Sequence, residues 1–155
     1  MYTKSNSRII IIGGSGLIGS NLFNYLKKNN YNVIATFLRN KVPGMIKYDM
    51  TQQKISDIIP DINKKDIFII LSACSNHNWI FENKEIAYKV NVDSTIDLIK
   101  QISKNKSKIF FMSSVEVFDG KSGSYTENSK PNPLNYFGKT KLIVEDFLKK
   151  NYSNF

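Results

Sequence analysis

A β-branched run, three spaced glycines and then a helical stretch constrain this chain more than any other feature. Arg8 to Ile12 reads as a strand buried on both faces. The turn Gly13-Gly14-Ser15-Gly16-Leu17-Ile18-Gly19 follows. A helix is expected from Leu17 to about Asn29, with Leu17, Ile18, Leu22, Tyr25 and Leu26 at helical spacing. That order suits a dinucleotide. Gly13 can take the tight turn, Gly16 leaves the backbone open to a pyrophosphate, and Gly19 lets helix and strand pack closely. The helix N-terminus offers N–H groups and partial positive charge to the phosphates. Ser15, Leu17 and Ile18 complete the candidate phosphate-binding turn. The competing explanation is a generic glycine-rich strand–helix turn.

The remainder keeps the alternation. Further strands are expected at Tyr31 to Phe37, Met45 to Tyr48, Asp66 to Ala73 and Lys108 to Ser113. Helices are expected at Thr51 to Ile59 (stopped by Pro60), Glu82 to Ser103, and from Pro133 or Leu134 to Lys150. In the long middle helix Ala87, Val90, Thr95, Leu98, Ile99 and Ile102 are expected to face inward. Alternating strands and helices imply an α/β, doubly wound parallel sheet of about five strands, with helices on both faces and right-handed crossovers. A length of 155 residues fits one domain, residues 1–155.

Composition removes several function classes. Cys74 and His77 are the only cysteine and histidine, so an internal disulfide is impossible and no metal site is expected. No run approaches the roughly 18 apolar residues of a membrane span. The polar start, Met1 to Arg8, does not resemble a signal peptide, so a cytoplasmic protein is expected. The net charge of +9 invites a nucleic-acid reading. Its lysines are scattered, without an arginine-rich stripe, and no nucleic-acid partner is expected.

The spacing Gly-x-x-Gly-x-x-Gly resembles the extended branch of the short-chain dehydrogenase/reductase superfamily. The stretches Phe110 to Gly120, Tyr125-Thr126-Glu127, Pro131 to Asn135 and Gly138-Lys139-Thr140-Lys141 narrow this. They look like dTDP-4-dehydrorhamnose reductase and its near relatives, from Ile9 to about Lys149. The resemblance implies reduction or epimerisation of a nucleotide-linked sugar with a nicotinamide cofactor. It also implies that Ser114 hydrogen-bonds the substrate carbonyl. Lys141 would hold the nicotinamide ribose and lower the pKa of a tyrosine four residues earlier. Positions four apart share a helix face, and a cation beside a phenol favours the phenolate. Here that position is Phe137, which has no proton to exchange. Tyr136 is one residue away and expected to point off that face. Weak or no reductase activity is therefore expected.

The rest of the candidate cofactor site lies at strand ends. No acid follows the second strand (Ala35 to Asn40), so Arg39 is expected to pair with the 2′-phosphate of NADP. NAD is the alternative, with Arg39 merely solvated. The resemblance puts Asp49 and Met50 against adenine, although Asp49 can equally cap the segment after it. Ser72 and Ala73 are small enough to let a cofactor cross the strand ends, or simply pack. His77 is more naturally a solvated or capping residue than a catalytic one. Trp79 and Phe81 either line the substrate side or anchor a loop. Family members have about twice this length, so the C-terminal half that supplies most of the sugar pocket is expected to be absent. A fifth strand without a neighbour leaves an exposed edge, which suits a homodimer or a missing partner segment. The other expectation is a non-catalytic, cofactor-holding module, as in the regulatory subunit of methionine adenosyltransferase.

Overall fold

The computed structural model describes residues 7–155; the polar start, residues 1–6, lies outside the described residues. The elements are β1 (Ile9–Ile12), α1 (Leu17–Lys28), β2 (Val33–Phe37), β3 (Ile46–Lys47), β4 (Ile67–Ile70), α2 (His77–Glu82), α3 (Lys84–Tyr88), a π-helical segment (Lys89–Ser94), α4 (Thr95–Ser103), β5 (Lys108–Phe111) and α5 (Tyr136–Asn151). The chain resolves into two compact units, and their chain segments interleave. The first takes residues up to Ser72, Asp97–Met112 and Asn154–Phe155; the second takes Ala73–Ile96 and Ser113–Ser153.

The first unit holds the whole sheet, in the order β3-β2-β1-β4-β5 with every pairing parallel. In a parallel ladder, paired residues share a face. Ile11 pairs with Ala35, and both pack with Val33, Phe23 and Leu26 under α1. Ile10, Ile12, Phe68, Ile70 and Ile109 fall on the opposite face and are fully buried. Connections run outward from β1 in both directions, so right-handed crossovers set α1 and the end of α4 on opposite faces. Leu98, Ile99 and Ile102 of α4 are buried accordingly. At the far side of β5, Ile109 N–H donates to the carbonyl of Asn154 at 3.1 Å.

A buried ion pair fastens the bottom of this unit. Asp66 accepts from Arg8 Nε at 2.9 Å and Nη2 at 2.7 Å, and from the Asn63 N–H at 2.9 Å.

Several expected elements are altered. Thr51 to Ile59 forms only a 3₁₀ turn at Ile55–Asp57, because Asp49 and Asp57 bond to nearby backbone N–H groups and hold turns instead. The expected helix from Glu82 to Ser103 is interrupted: Asn83 ends α2 with non-helical backbone, and the Lys89–Ser94 segment is π. The buried face of α1 is Gly19, Phe23 and Leu26. Leu17, Ile18 and Tyr25 are exposed, Leu17 by 84%.

Candidate functional site

The glycine turn lies in the first unit. Gly13 has φ +89°, and a Cβ there would lie 2.7 Å from Ser72 Oγ. Its N–H donates to Thr36 Oγ1 at 3.1 Å, tying the turn to β2. A Cβ on Gly19 would lie 2.4 Å from the Gly13 carbonyl oxygen, so only hydrogen fits between helix and turn. Gly16 differs: its nearest neighbour would be 3.5 Å away. Gly16 is also the N-cap of α1, with no side chain capping the helix and no acid in its first turn. The turn therefore offers uncapped N–H groups and room beside them, which suits an anion. Ser15 is half-buried beside it, and Leu17 and Ile18 are exposed.

A groove of about 580 Å³ is lined by Leu38, Arg39, Lys47, Asp49 and Gln53. Arg39 is thus accompanied by a second cation, Lys47 of β3, which sequence reasoning missed. Asp49 Oδ1 accepts from the Thr51 N–H at 2.9 Å and its hydroxyl at 2.7 Å. Asp49 thus holds an Asx turn at Thr51 rather than capping a helix, and it also faces the groove. Met50 is half-buried beside it, and Ser72 and Ala73 are half-buried after β4. No group of histidine, cysteine or carboxylate side chains suited to a metal ion exists among the described residues.

The second unit gathers the other candidates. Phe137 and Lys141 share one face of α5, with Lys141 Nζ 5.6 Å from the Phe137 ring centre. Phe137 is buried with Ile80 and Ala87, and Trp79 packs against this cluster. Trp79 is thus an anchor of the unit, whereas Phe81 is largely exposed under Lys84 Nζ. Tyr136 donates its hydroxyl to the Lys84 carbonyl at 3.4 Å, away from Lys141's face.

Ser114 caps a 3₁₀ turn (Val115–Val117), its Oγ accepting from the Glu116 N–H at 3.2 Å. Its hydroxyl proton is still free to donate. Asn135 caps α5: Oδ1 accepts from the Gly138 N–H at 2.8 Å, while Nδ2 donates to Glu116 Oε2 at 2.6 Å. A Cβ on Gly138 would lie 2.1 Å from the Glu116 carbonyl oxygen, so α5 and the turn touch backbone to backbone. Ser113 donates to Glu145, which also receives Lys149.

Asn91, in the π segment, is a buried hub. Its Oδ1 accepts from Cys74 N–H at 2.7 Å, and its Nδ2 donates to the Cys74 carbonyl at 2.9 Å and Thr140 Oγ1 at 3.3 Å. π insertions recur at functional sites, and a polar residue buried inside a helix is the signal that marks it.

Lys141 is 3% exposed, and burial pushes its ammonium pKa down from 10.5 to about 8, against a smaller pull upward from Glu145. Between those two values the unfolded chain holds the proton and the folded chain does not. Stability therefore rises with pH across that window, and below it the folded state carries the full burden, on the order of 3 kcal/mol. Lys141→Met is expected to raise stability at pH 7 by up to about this amount, with the gain shrinking by pH 10. Urea unfolding of both proteins at the two pH values checks it.

A parallel sheet of this order, with a glycine turn ahead of an uncapped helix, defines a Rossmann-type fold. The sequence model of the RmlD substrate binding domain matches residues 7–155, and the chain belongs to that family. It is 30% identical over 148 residues to methionine adenosyltransferase 2 subunit beta of Bos taurus, covering 94% of this chain and 44% of that protein. A hypothetical dTDP-4-dehydrorhamnose reductase of Sulfolobus tokodaii superposes with a TM-score of 0.81 at 32% identity, over 90% of this chain and 51% of that one. MoeE5, solved with UDP-glucose and NAD, shares the fold at 24% identity with a TM-score of 0.79, over 90% of this chain and 47% of that one. The chain thus spans about half the length of the relatives it matches. Among the described residues no helix is long and apolar enough to cross a membrane.

Proposed function

We propose that this chain is the cofactor-holding part of a cytoplasmic NADP(H)-dependent reductase or epimerase acting on a nucleotide-linked sugar. The observation that carries the reading is the turn at Gly13–Gly19: uncapped helical N–H groups beside a glycine that has space where a side chain would be. Gly13, Ser15, Gly16, Leu17, Ile18 and Gly19 then hold the pyrophosphate. Arg39 and Lys47 pair with the 2′-phosphate of NADP, and Asp49 and Met50 lie toward the adenine. Ser72 and Ala73 leave room at the end of β4. Lys141 holds the nicotinamide ribose, and Ser114 donates to the substrate carbonyl. The cofactor supplies a hydride. The remaining sugar-binding surface comes from a further segment or a partner, a second copy included.

The test is a thermal-shift titration of the purified chain with NADPH and NADH. A working site is stabilised more by NADPH. Arg39→Ala combined with Lys47→Ala is expected to weaken NADPH by about 10- to 100-fold, at about 1.5–3 kcal/mol for charge-assisted bonds, while leaving NADH nearly unchanged. Equal losses for both cofactors would place the 2′-phosphate elsewhere.

A second reading is favoured by Phe137 and by the likeness to a methionine adenosyltransferase subunit. In it the chain holds cofactor as a non-catalytic module of an assembly. Gain of turnover in Phe137→Tyr favours the enzyme; cofactor binding without such a gain favours the module.

A further inference from the structure

Phe137 leaves the second unit without a hydroxyl at the place the proposed chemistry needs one, yet a different proton-transfer group adjoins it. His77, the first residue of α2, meets the Phe137 ring edge-on, with centroids 6.1 Å apart. Its Nε2 lies 3.3 Å from Glu116 Oε2. Glu116 is itself fixed: Asn135 Nδ2 donates to the same oxygen, and its N–H donates to Ser114 Oγ. That carboxylate, an ion-pair partner 3.3 Å from the imidazole and not aligned with it as a hydrogen bond, is held by the residue that caps α5. Lys141 lies across the Phe137 ring, its Nζ 5.6 Å from the ring centre. The imidazole is half-exposed, open to a ligand rather than sealed in the core.

We propose that His77, oriented by Glu116, is the proton-transfer residue of this site in place of the tyrosine that Phe137 replaces. The inference rests on the reductase reading above. In reduction, the carbonyl carbon receives the hydride with its electron pair. The carbonyl π pair moves onto oxygen, and that oxygen takes the proton from His77 Nδ1. The ring becomes neutral, keeping its Nε2 proton beside the Glu116 carboxylate, and solvent reprotonates Nδ1. In the reverse direction the neutral ring accepts the alcohol proton. A carboxylate behind an imidazole sets its tautomer and stabilises the charged form. Glu116 is thus a positioning residue.

His77 is the chain's only histidine, so its NMR signals are unambiguous. The experiment follows its imidazole signals as a dTDP-linked 4-keto sugar is added, and in parallel NADPH oxidation with that sugar, in wild type, His77→Ala, Glu116→Gln and Phe137→Tyr. The wild-type signals are expected to shift on addition of the sugar, and unshifted signals overturn the assignment. Glu116→Gln should lower kcat by about tenfold with little change in KM, as loss of a positioning carboxylate does. His77→Ala should cost about 10²- to 10⁴-fold in rate, with Phe137→Tyr in the same chain restoring part of it. Unchanged turnover in His77→Ala, or a kcat that ignores Glu116→Gln, overturns the assignment. So does absence of wild-type turnover. In that case activity of Phe137→Tyr shows that the reductase reading survives alone, and failure of NADPH to stabilise any variant shows that it falls as well.

Discussion

Gly16→Glu abolishes stabilisation by NADPH and leaves the melting temperature of the free protein nearly unchanged. The two halves of this expected result come from different atoms. The nearest atom to a Cβ at Gly16 is 3.5 Å away, so the fold tolerates a side chain there. The same space is where a pyrophosphate would approach the uncapped start of α1, and a carboxylate placed in it competes for the N–H groups and repels the phosphates. At about 100 times its dissociation constant a ligand stabilises by roughly 2.7 kcal/mol, and that whole increment should vanish. For a chain of this size it is a shift of about 5–10 °C. Gly19→Ala is the contrasting variant: its Cβ would stand 2.4 Å from the Gly13 carbonyl oxygen. It should lower the melting temperature of the free protein, as overpacking by about 1–3 kcal/mol does. If Gly16→Glu unfolds the chain and Gly19→Ala does not, the division of labour within the turn is wrong.

Asp66→Ala should be the most destabilising single change in the sheet unit, at about 3–5 kcal/mol in urea unfolding. Asp66 is 1% exposed and takes both Nε and Nη2 of Arg8. Removing it leaves the guanidinium only its exposed partner Asp61 and unpairs the Asn63 N–H that Asp66 accepts. Asp61, on the other side of Arg8, is solvent-exposed and screened, and Asp61→Ala should change little. Equal effects of the two substitutions would show that the buried pair adds nothing over the exposed one.

The alternation of β-branched runs with amphipathic stretches made the sheet and its winding legible, because both depend on local pattern. The glycine turn was legible too, since Gly13 takes a positive φ that other residues rarely adopt and Gly19 sits where a Cβ would strike the Gly13 carbonyl. Failures came where side chains competed with the backbone. Asp49 and Asp57 turned an expected helix into turns, and Asn83 cut another. Residues that act across long sequence separations were invisible. Lys47 joins Arg39 only through the β2–β3 pairing. Glu116 meets His77 and Asn135 only once the second unit has folded. His77 stands in the polar stretch Ser75-Asn76-His77-Asn78, which by itself suits a solvated or capping residue. Asn91 carried a weak signal, a poor helix former amid an apolar face, but its partners Cys74 and Thr140 are remote.

The hydrogen bond from Ile109 to Asn154 has a consequence for biosynthesis. The sheet unit is built from three separate stretches of chain, and the third is Asn154–Phe155. Between Met112 and Asn154 the ribosome must add about forty residues, Ser113–Ser153, all belonging to the other unit. At about 5–20 residues per second that is a wait of roughly 2–8 s. During that interval the outer edge of β5 lacks the carbonyl that later receives Ile109. The nascent chain therefore passes through a window in which its newest strand is open to other strands, and folding factors that shield such edges would act on it then.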